Sequence, residues 1–318
     1  MNLITHSCRD STAFKFREIA HYTTNIYGVF PELTTAQCYE MMQTQQSLQR
    51  LVLTKKYRED LNRQLHVIIS QLDVTQQGCI WFSFHMGTYH LLPHLLIRLN
   101  VKLYVLVSQQ VYDDYSQELS LTQYSENIRL INVQDKAAIW HINYALKSGL
   151  QLLVYLDGNM GVGQQLKHSI QFPLGDRWWS LSSVLATLAQ YHQIPVVPIW
   201  LLVKPDEGIQ LKLGKMQIIT DATVFLQDLF LQFYHDLLCY PAQWKGWLFV
   251  HHDIRSTPIK LENTNTPHSY PEFIPYPISD QYFLLERATG LFYPVDALLY
   301  QHIMRKMKTE LNLNFELF

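Results

Sequence analysis

A histidine stands where an apolar strand should end. Cys79-Ile80-Trp81-Phe82-Ser83-Phe84 reads as a strand, and His85-Met86-Gly87-Thr88-Tyr89-His90 follows it. Ligands in open α/β sheets gather at the carboxyl ends of strands. Gly87 lets backbone or substrate approach closely. A neutral imidazole titrates near working pH, so His85 can take a proton from an attacking hydroxyl or amine. By residue type alone, a strand-end histidine is more often a packed, hydrogen-bonded residue, and both readings stand at this point.

Other constellations carry less chemistry. His85, His90 and His94 form H-x4-H-x3-H, but no HExxH is present and Pro93 interrupts the last pair, so no metal is expected there. His251-His252-Asp253 reads as structural. Gly158-Asn159-Met160-Gly161-Val162-Gly163 lacks the spacing of a phosphate-binding loop. No GxSxG elbow or activated cysteine is present, so no covalent acyl-enzyme is expected. Cys8, Cys38, Cys79 and Cys239 are isolated, which excludes a CxxC pair and fits a reducing compartment.

The elements that must position His85 alternate. Residues 11–22 and 34–72 read as helical, the second stretch with one break. Strands are expected at 79–84, 102–107, 128–133, 150–156, 195–203 and 209–219. Helices are expected at 88–100, 136–148 (ending at Gly149), 180–192 and 222–239. This order implies an α/β fold with a mostly parallel sheet flanked by helices. Residues 256–277 are rich in proline and read as a linker. Tyr282-Phe283-Leu284-Leu285 and Leu291-Phe292-Tyr293 flank a glycine turn, and Asp296 caps a last helix to about Lys308. The expected division is therefore residues 1–255 with a helical start at 1–74, the linker, and a small hairpin-helix module at 278–318.

Of 318 residues, 48% are hydrophobic and 16% charged, with a net charge of −2. A large core is affordable, and a nucleic-acid partner, which would need a basic stripe, is not expected. Lys55-Lys56-Tyr57-Arg58 and Arg305-Lys306-Met307-Lys308 are short basic clusters that fit solvated helix faces or contact with anionic lipid. Neither a signal peptide nor an apolar run long enough to span a bilayer is read. The expected place is the cytoplasm, with peripheral contact at the inner membrane left open.

Five segments, in order, resemble the bacterial lipid A late (lauroyl/myristoyl) acyltransferase family and its relatives over about residues 75–255. His85-Met86-Gly87-Thr88-Tyr89-His90 matches the family's HxGxxE or HxGxxD. Ala145 to Asp157 matches a helix, glycine, strand and terminal aspartate. Ile170 to Gly175 with Ser180 to Ala186 matches a strand, Phe-Gly turn and small-residue helix. Ile194-Pro195-Val196-Val197-Pro198 matches "APVVP", and Pro241 to His251 matches "PEQWxWxH".

The resemblance implies a glycerolipid acyltransferase-like fold and direct transfer of an acyl group from acyl-CoA or an acyl-carrier protein, with no other cofactor. His85 would be the base. The family's carboxylate five residues later is His90 here, an orienting or second base without the charge. Asp157 is therefore expected to supply the charge that steadies the imidazolium. Backbone N–H groups or Arg177 would hold the oxyanion, or Arg177 the carrier's phosphopantetheine. Trp178 and Trp179 would wall the acyl chain or touch lipid, or be ordinary core. Gly87, Ser180 and Ser182 complete the expected substrate contacts. The family's N-terminal membrane helix has no counterpart, so lipid A is not the expected acceptor. Tyr282 to Met307 resembles the small peptide-binding protein of pyrroloquinoline quinone biosynthesis, which implies a recruited peptide. The alternative is a degenerate protein that only binds acyl chains or a peptide.

Overall fold

The computed structural model describes residues 11–49, 55–71, 78–120, 126–158, 168–204, 206–252, 254–255, 273–278 and 281–312. Helices are α1 (Ser11–Tyr27), α2 (Thr35–Gln49), α3 (Lys55–Gln71), α4 (Leu92–Leu96), α5 (Gln109–Ser120), α6 (Ala138–Lys147), α7 (Val184–His192), α8 (Ala222–Cys239) and α9 (Ala297–Glu310). Strands are β1 (Ile80–Ser83), β2 (Leu103–Val107), β3 (Ile128–Asn132), β4 (Gln151–Tyr155), β5 (Ser169–Leu174), β6 (Arg177–Ser182), β7 (Pro195–Lys204), β8 (Gly208–Leu213), β9 (Gln217–Ile218), β10 (Ile254–Arg255), β11 (Phe273–Ile278), β12 (Gln281–Glu286) and β13 (Phe292–Val295).

Contacts divide the chain into two compact units. One holds residues 45–172 and 180–246, and the other residues 1–44, 173–179 and 247–318. This grouping differs from the linear division read from the sequence, because the N-terminal helix α1 and the C-terminal strands fall in the same unit.

The larger unit is α/β. Its sheet runs β3-β2-β4-β1-β7-β8, with β9 also on β7. The five strands β3, β2, β4, β1 and β7 are mutually parallel, and β8 and β9 are antiparallel to β7. Central strands carry near-continuous apolar runs because both faces are covered. Trp81, Leu153, Val197, Ile199 and Leu201 pack with Ile68 of α3 and Leu92, Leu95 and Leu96 of α4. On the other face Phe82 meets Phe225 of α8, and Phe84 stacks on Phe233 at 4.0 Å. Each such buried ring contributes about 1.5–3 kcal/mol. Gln64 of α3 donates to Ile209 O (3.0 Å) and accepts from Leu211 N (3.2 Å), so its amide pairs with the backbone of β8.

The smaller unit gathers α1, α9 and the antiparallel sheet β11-β12-β13. Arg17 Nε donates to Pro277 O at 2.7 Å, and His21 Nε2 lies 2.8 Å from Tyr276 Oη. Thr34 and Gln37 form a reciprocal cap at the start of α2: Thr34 N donates to Gln37 Oε1 (2.9 Å), and Gln37 N to Thr34 Oγ1 (3.2 Å). Asp296 accepts from Leu299 N (2.8 Å), which starts α9 as expected.

Several expected elements change. Residues 88–100 do not form one helix; short 3-10 turns flank α4, whose first turn contains Pro93. The helix expected from 180 starts at Val184, because 180–182 continue the strand β6. The strand expected over 209–219 is two strands around Gly214. The proline-rich segment ends in a strand, β11, fully paired with β12. Helix α5 was not expected. The break between the second-stretch helices, Gly161, Gly163 and residues 256–272 lie outside the described residues. No helix among the described residues is long and apolar enough to cross a membrane.

Burial holds the His94 imidazole below its usual range, and Arg98 adds to this. The unfolded chain then binds a proton that the folded chain resists, once pH falls below about 6.5. Stability from this group is full above that pH and declines as pH drops toward the folded value. The urea midpoint is expected to fall on acidification, and His94→Gln to flatten that part of the curve. A variant curve parallel to the parent at every pH would refute the assignment.

Candidate active site

Strands β1 and β4 are parallel neighbours, and their pairing fixes the site. Ile80 pairs with Leu152 and Ser83 with Tyr155, an offset of 72 residues (152 − 80 and 155 − 83). The ladder continues one step further, with Leu156 N donating to Ser83 O at 2.9 Å. The same offset places His85 beside Asp157. Both lie two residues beyond the carboxyl ends of their strands.

Asp157 grips the histidine at two levels. The His85 backbone N–H donates to both carboxylate oxygens, at 3.0 and 2.9 Å. His85 Nδ1 lies 2.9 Å from Oδ1. A carboxylate only accepts, so the ring proton belongs on Nδ1 and the lone pair on Nε2. The Asp157 side chain is 1% exposed and that of His85 is 25% exposed. The charge is thus dry and the base is reachable. Tyr155 stacks on the imidazole with centroids 4.5 Å apart, and Tyr89 meets it edge-on at 4.7 Å. Burial, with Tyr89 and Asp157 adding, holds the Tyr155 phenol well above its usual range. It stays protonated and donates to Tyr89 O at 2.9 Å.

The second oxygen of Asp157 has its own donor, Trp244 Nε1, at 2.7 Å. Trp244 arrives on a segment zipped to the histidine turn. Met86 and Trp244 form an antiparallel bridge, Gly87 N donates to Gln243 O (2.8 Å), and Lys245 N donates to His85 O (2.9 Å). Gln243 anchors that segment to β7: its amide donates to Val203 O (2.6 Å) and accepts from Val203 N (2.9 Å). Lys245 Nζ then reaches Tyr89 Oη at 2.9 Å.

Trp244→Phe is expected to leave a buried carboxylate oxygen short of one donor. A buried acceptor in that state costs about 1–3 kcal/mol, which a urea midpoint would register. An unchanged midpoint would show that the indole N–H does not matter to Asp157.

The expected site residues separate. His85 and Asp157 come together as expected. His90 sits in the 3-10 turn, edge-on to Tyr89 at 5.8 Å, and the charge on His85 comes from Asp157. Gly87 is buried, and its open side faces Leu201 O and Gln243, so the close approach it allows is by backbone. Ser180 is buried within β6, and Ser182 Oγ accepts from Val184 N at 3.4 Å, at the start of α7. Arg177, Trp178 and Trp179 belong to the other unit. There Arg177 Nε lies 3.5 Å from Asp176 Oδ1, and burial lowers its pKa, Asp176 opposing this. Trp178 is 45% exposed and Trp179 1%, so only Trp179 is core. His251 of that unit stacks face to face on His21 at 4.0 Å, a structural contact. Among the described residues no group of three or more His, Cys, Asp or Glu converges to hold a metal.

Sequence reasoning did not find Trp244, Lys245, Tyr89 or Tyr155. Trp244 and Lys245 lay in the closing segment without a role, and both tyrosines lay within two residues of a chosen one. A residue two places before a strand-end acid shares its face, which is the one signal that could have found Tyr155.

No protein-family model and no curated protein matches the chain.

Proposed function

We propose that this protein is an acyltransferase that moves an acyl group from a thioester to a hydroxyl or amine by general-base catalysis. The observation that carries this is the His85–Asp157 pair: a buried carboxylate holding Nδ1 of a partly exposed imidazole, side by side at the carboxyl ends of β1 and β4. Such a pair activates a nucleophile brought by the substrate. The five-segment resemblance to the lipid A late acyltransferases supports acyl transfer among the reactions a base can serve. Where that family carries a carboxylate after the histidine turn this chain has His90, and the carboxylate beside His85 comes from the turn after β4.

His85 Nε2 takes the acceptor's proton as the acceptor attacks the thioester carbonyl. Asp157 steadies the imidazolium. The imidazolium then returns the proton to the departing thiolate of coenzyme A or an acyl-carrier protein. A peptide acceptor is supported by the resemblance of residues 282–307 to a peptide-binding protein; in the fold these residues belong to a hairpin, β12 and β13, followed by α9.

The test is thiol release from acyl-CoA and acyl-carrier protein, with and without candidate acceptors, in wild type and His85→Ala. Release in wild type alone supports transfer. Acyl binding with no release in either protein would make it a binding protein instead.

A further inference from the structure

A transferred acyl group passes through a tetrahedral oxyanion, and its donors must come from somewhere near His85. The obvious backbone donors are spent. The N–H groups of His85, Met86, Gly87 and Gly158 donate to Asp157, Phe84 O, Gln243 O and Tyr155 O respectively. The indole of Trp244 is spent on Asp157. Arg177 belongs to the other unit, where its Nε faces Asp176.

Among the described residues, Tyr89 stands beside the imidazole with a hydroxyl that can still donate. Tyr89 touches the His85 ring edge-on at 4.7 Å. Its hydroxyl accepts from Lys245 Nζ at 2.9 Å, and the ammonium also lies 5.4 Å from the ring centroid. A phenol has one O–H to give and two lone pairs to receive. The ammonium occupies a lone pair, so the O–H is left to donate outward, polarised by the adjacent positive charge. The Lys245 backbone is itself tied to His85 O at 2.9 Å, which fixes the ammonium and the base in one frame.

We infer that Tyr89 Oη, polarised by Lys245, is the oxyanion donor of this site, a role that rests on the acyl-transfer reading above. As the acceptor oxygen or nitrogen bonds to the carbonyl carbon, His85 takes its proton and the C=O π pair moves onto oxygen. Tyr89 O–H donates to that oxygen. The pair then returns, the C–S bond breaks, and the thiolate leaves with the proton from His85. Lys245 acts through Tyr89 and is a positioning residue.

The experiment has two readouts. The first is turnover of an acyl thioester by Tyr89→Phe, Lys245→Met and the double variant. Loss of one oxyanion donor lowers kcat by roughly 10²–10³-fold. KM is expected to hold, and the double variant to match Tyr89→Phe, because the lysine works through the phenol. The second is binding of an alkylthio trifluoromethyl ketone, whose hydrate mimics the tetrahedral state without turnover. Tyr89→Phe is expected to bind it roughly 10²-fold more weakly. Equal binding by wild type and Tyr89→Phe, or none by either, overturns the inference, as does a change confined to KM. Tyr89-dependent binding of the ketone with no thioester turnover keeps the oxyanion site and rejects acyl transfer.

Discussion

Asp157→Asn is expected to fold and to lose about 10⁴-fold in thioester turnover, the size of loss seen when the carboxylate of a Ser-His-Asp triad becomes an amide. The geometry gives the reason. Asp157 accepts from the His85 N–H with both oxygens, from His85 Nδ1 with one and from Trp244 Nε1 with the other. An amide has one oxygen and one N–H₂ group. Facing Trp244, the N–H₂ would meet another donor. Facing His85, it would donate to Nδ1 and move the ring proton to Nε2, where the base should be. The second orientation keeps the indole bond, so the variant holds the wrong tautomer. Substrate binding is expected to stay within a few-fold of wild type, measured by titration with a non-hydrolysable thioester analogue. Retention of turnover within about tenfold would remove Asp157 from the mechanism.

Gly87→Ala is expected to be strongly destabilising. Gly87 sits at φ +57°, where an L side chain costs about 1–2 kcal/mol. The added Cβ would stand 2.1 Å from Leu201 O and 3.0 Å from Leu201 C, and both are backbone of the buried strand β7. Neither can move aside as a flexible side chain would. Relief requires withdrawing the turn from β7, which breaks the Gly87 N to Gln243 O bond and loosens the segment that carries Trp244 and Lys245. The combined loss is expected to exceed about 4 kcal/mol, in the range that marks a broken backbone contact. A soluble variant whose unfolding free energy from urea titration lies within about 1 kcal/mol of wild type would contradict this.

Much of this architecture was legible in the chain because its signals are local. The strand that ends at His85, the helix over 222–239 and the Asp296 cap depend on periodicity and near neighbours, and each falls where it was expected. The misses depend on partners far away. The strand β11 carries Pro275 and Pro277, which read as a linker until β12 supplies the pairing. Ser180 and Ser182 read as helical because their small side chains suit a packed helix, yet they continue β6. Asp157 was reached through resemblance; the 72-residue register that joins it to His85 is a property of the sheet, and no spacing in the sequence encodes it. The Trp244 donor and the Tyr89–Lys245 pair arise in the same way, from a late segment folding back on the histidine turn.

The discontinuity of the smaller unit has a consequence for synthesis. Arg17 and His21 of α1 find their partners at Pro277 and Tyr276, separations of 260 and 255 residues. The helix leaves the ribosome and waits for some 255 further residues before its partner Tyr276 of β11 exists. Translation at about 5–20 residues per second makes that wait roughly 10–50 seconds. During it, Phe16, Ile19, Ala20 and Ile26, all buried at the end, have no native cover from β11. Apolar surface held open that long is open to aggregation and to capture by chaperones, so nascent chains stalled before residue 273 should be retained by them, and chains released after β12 should not.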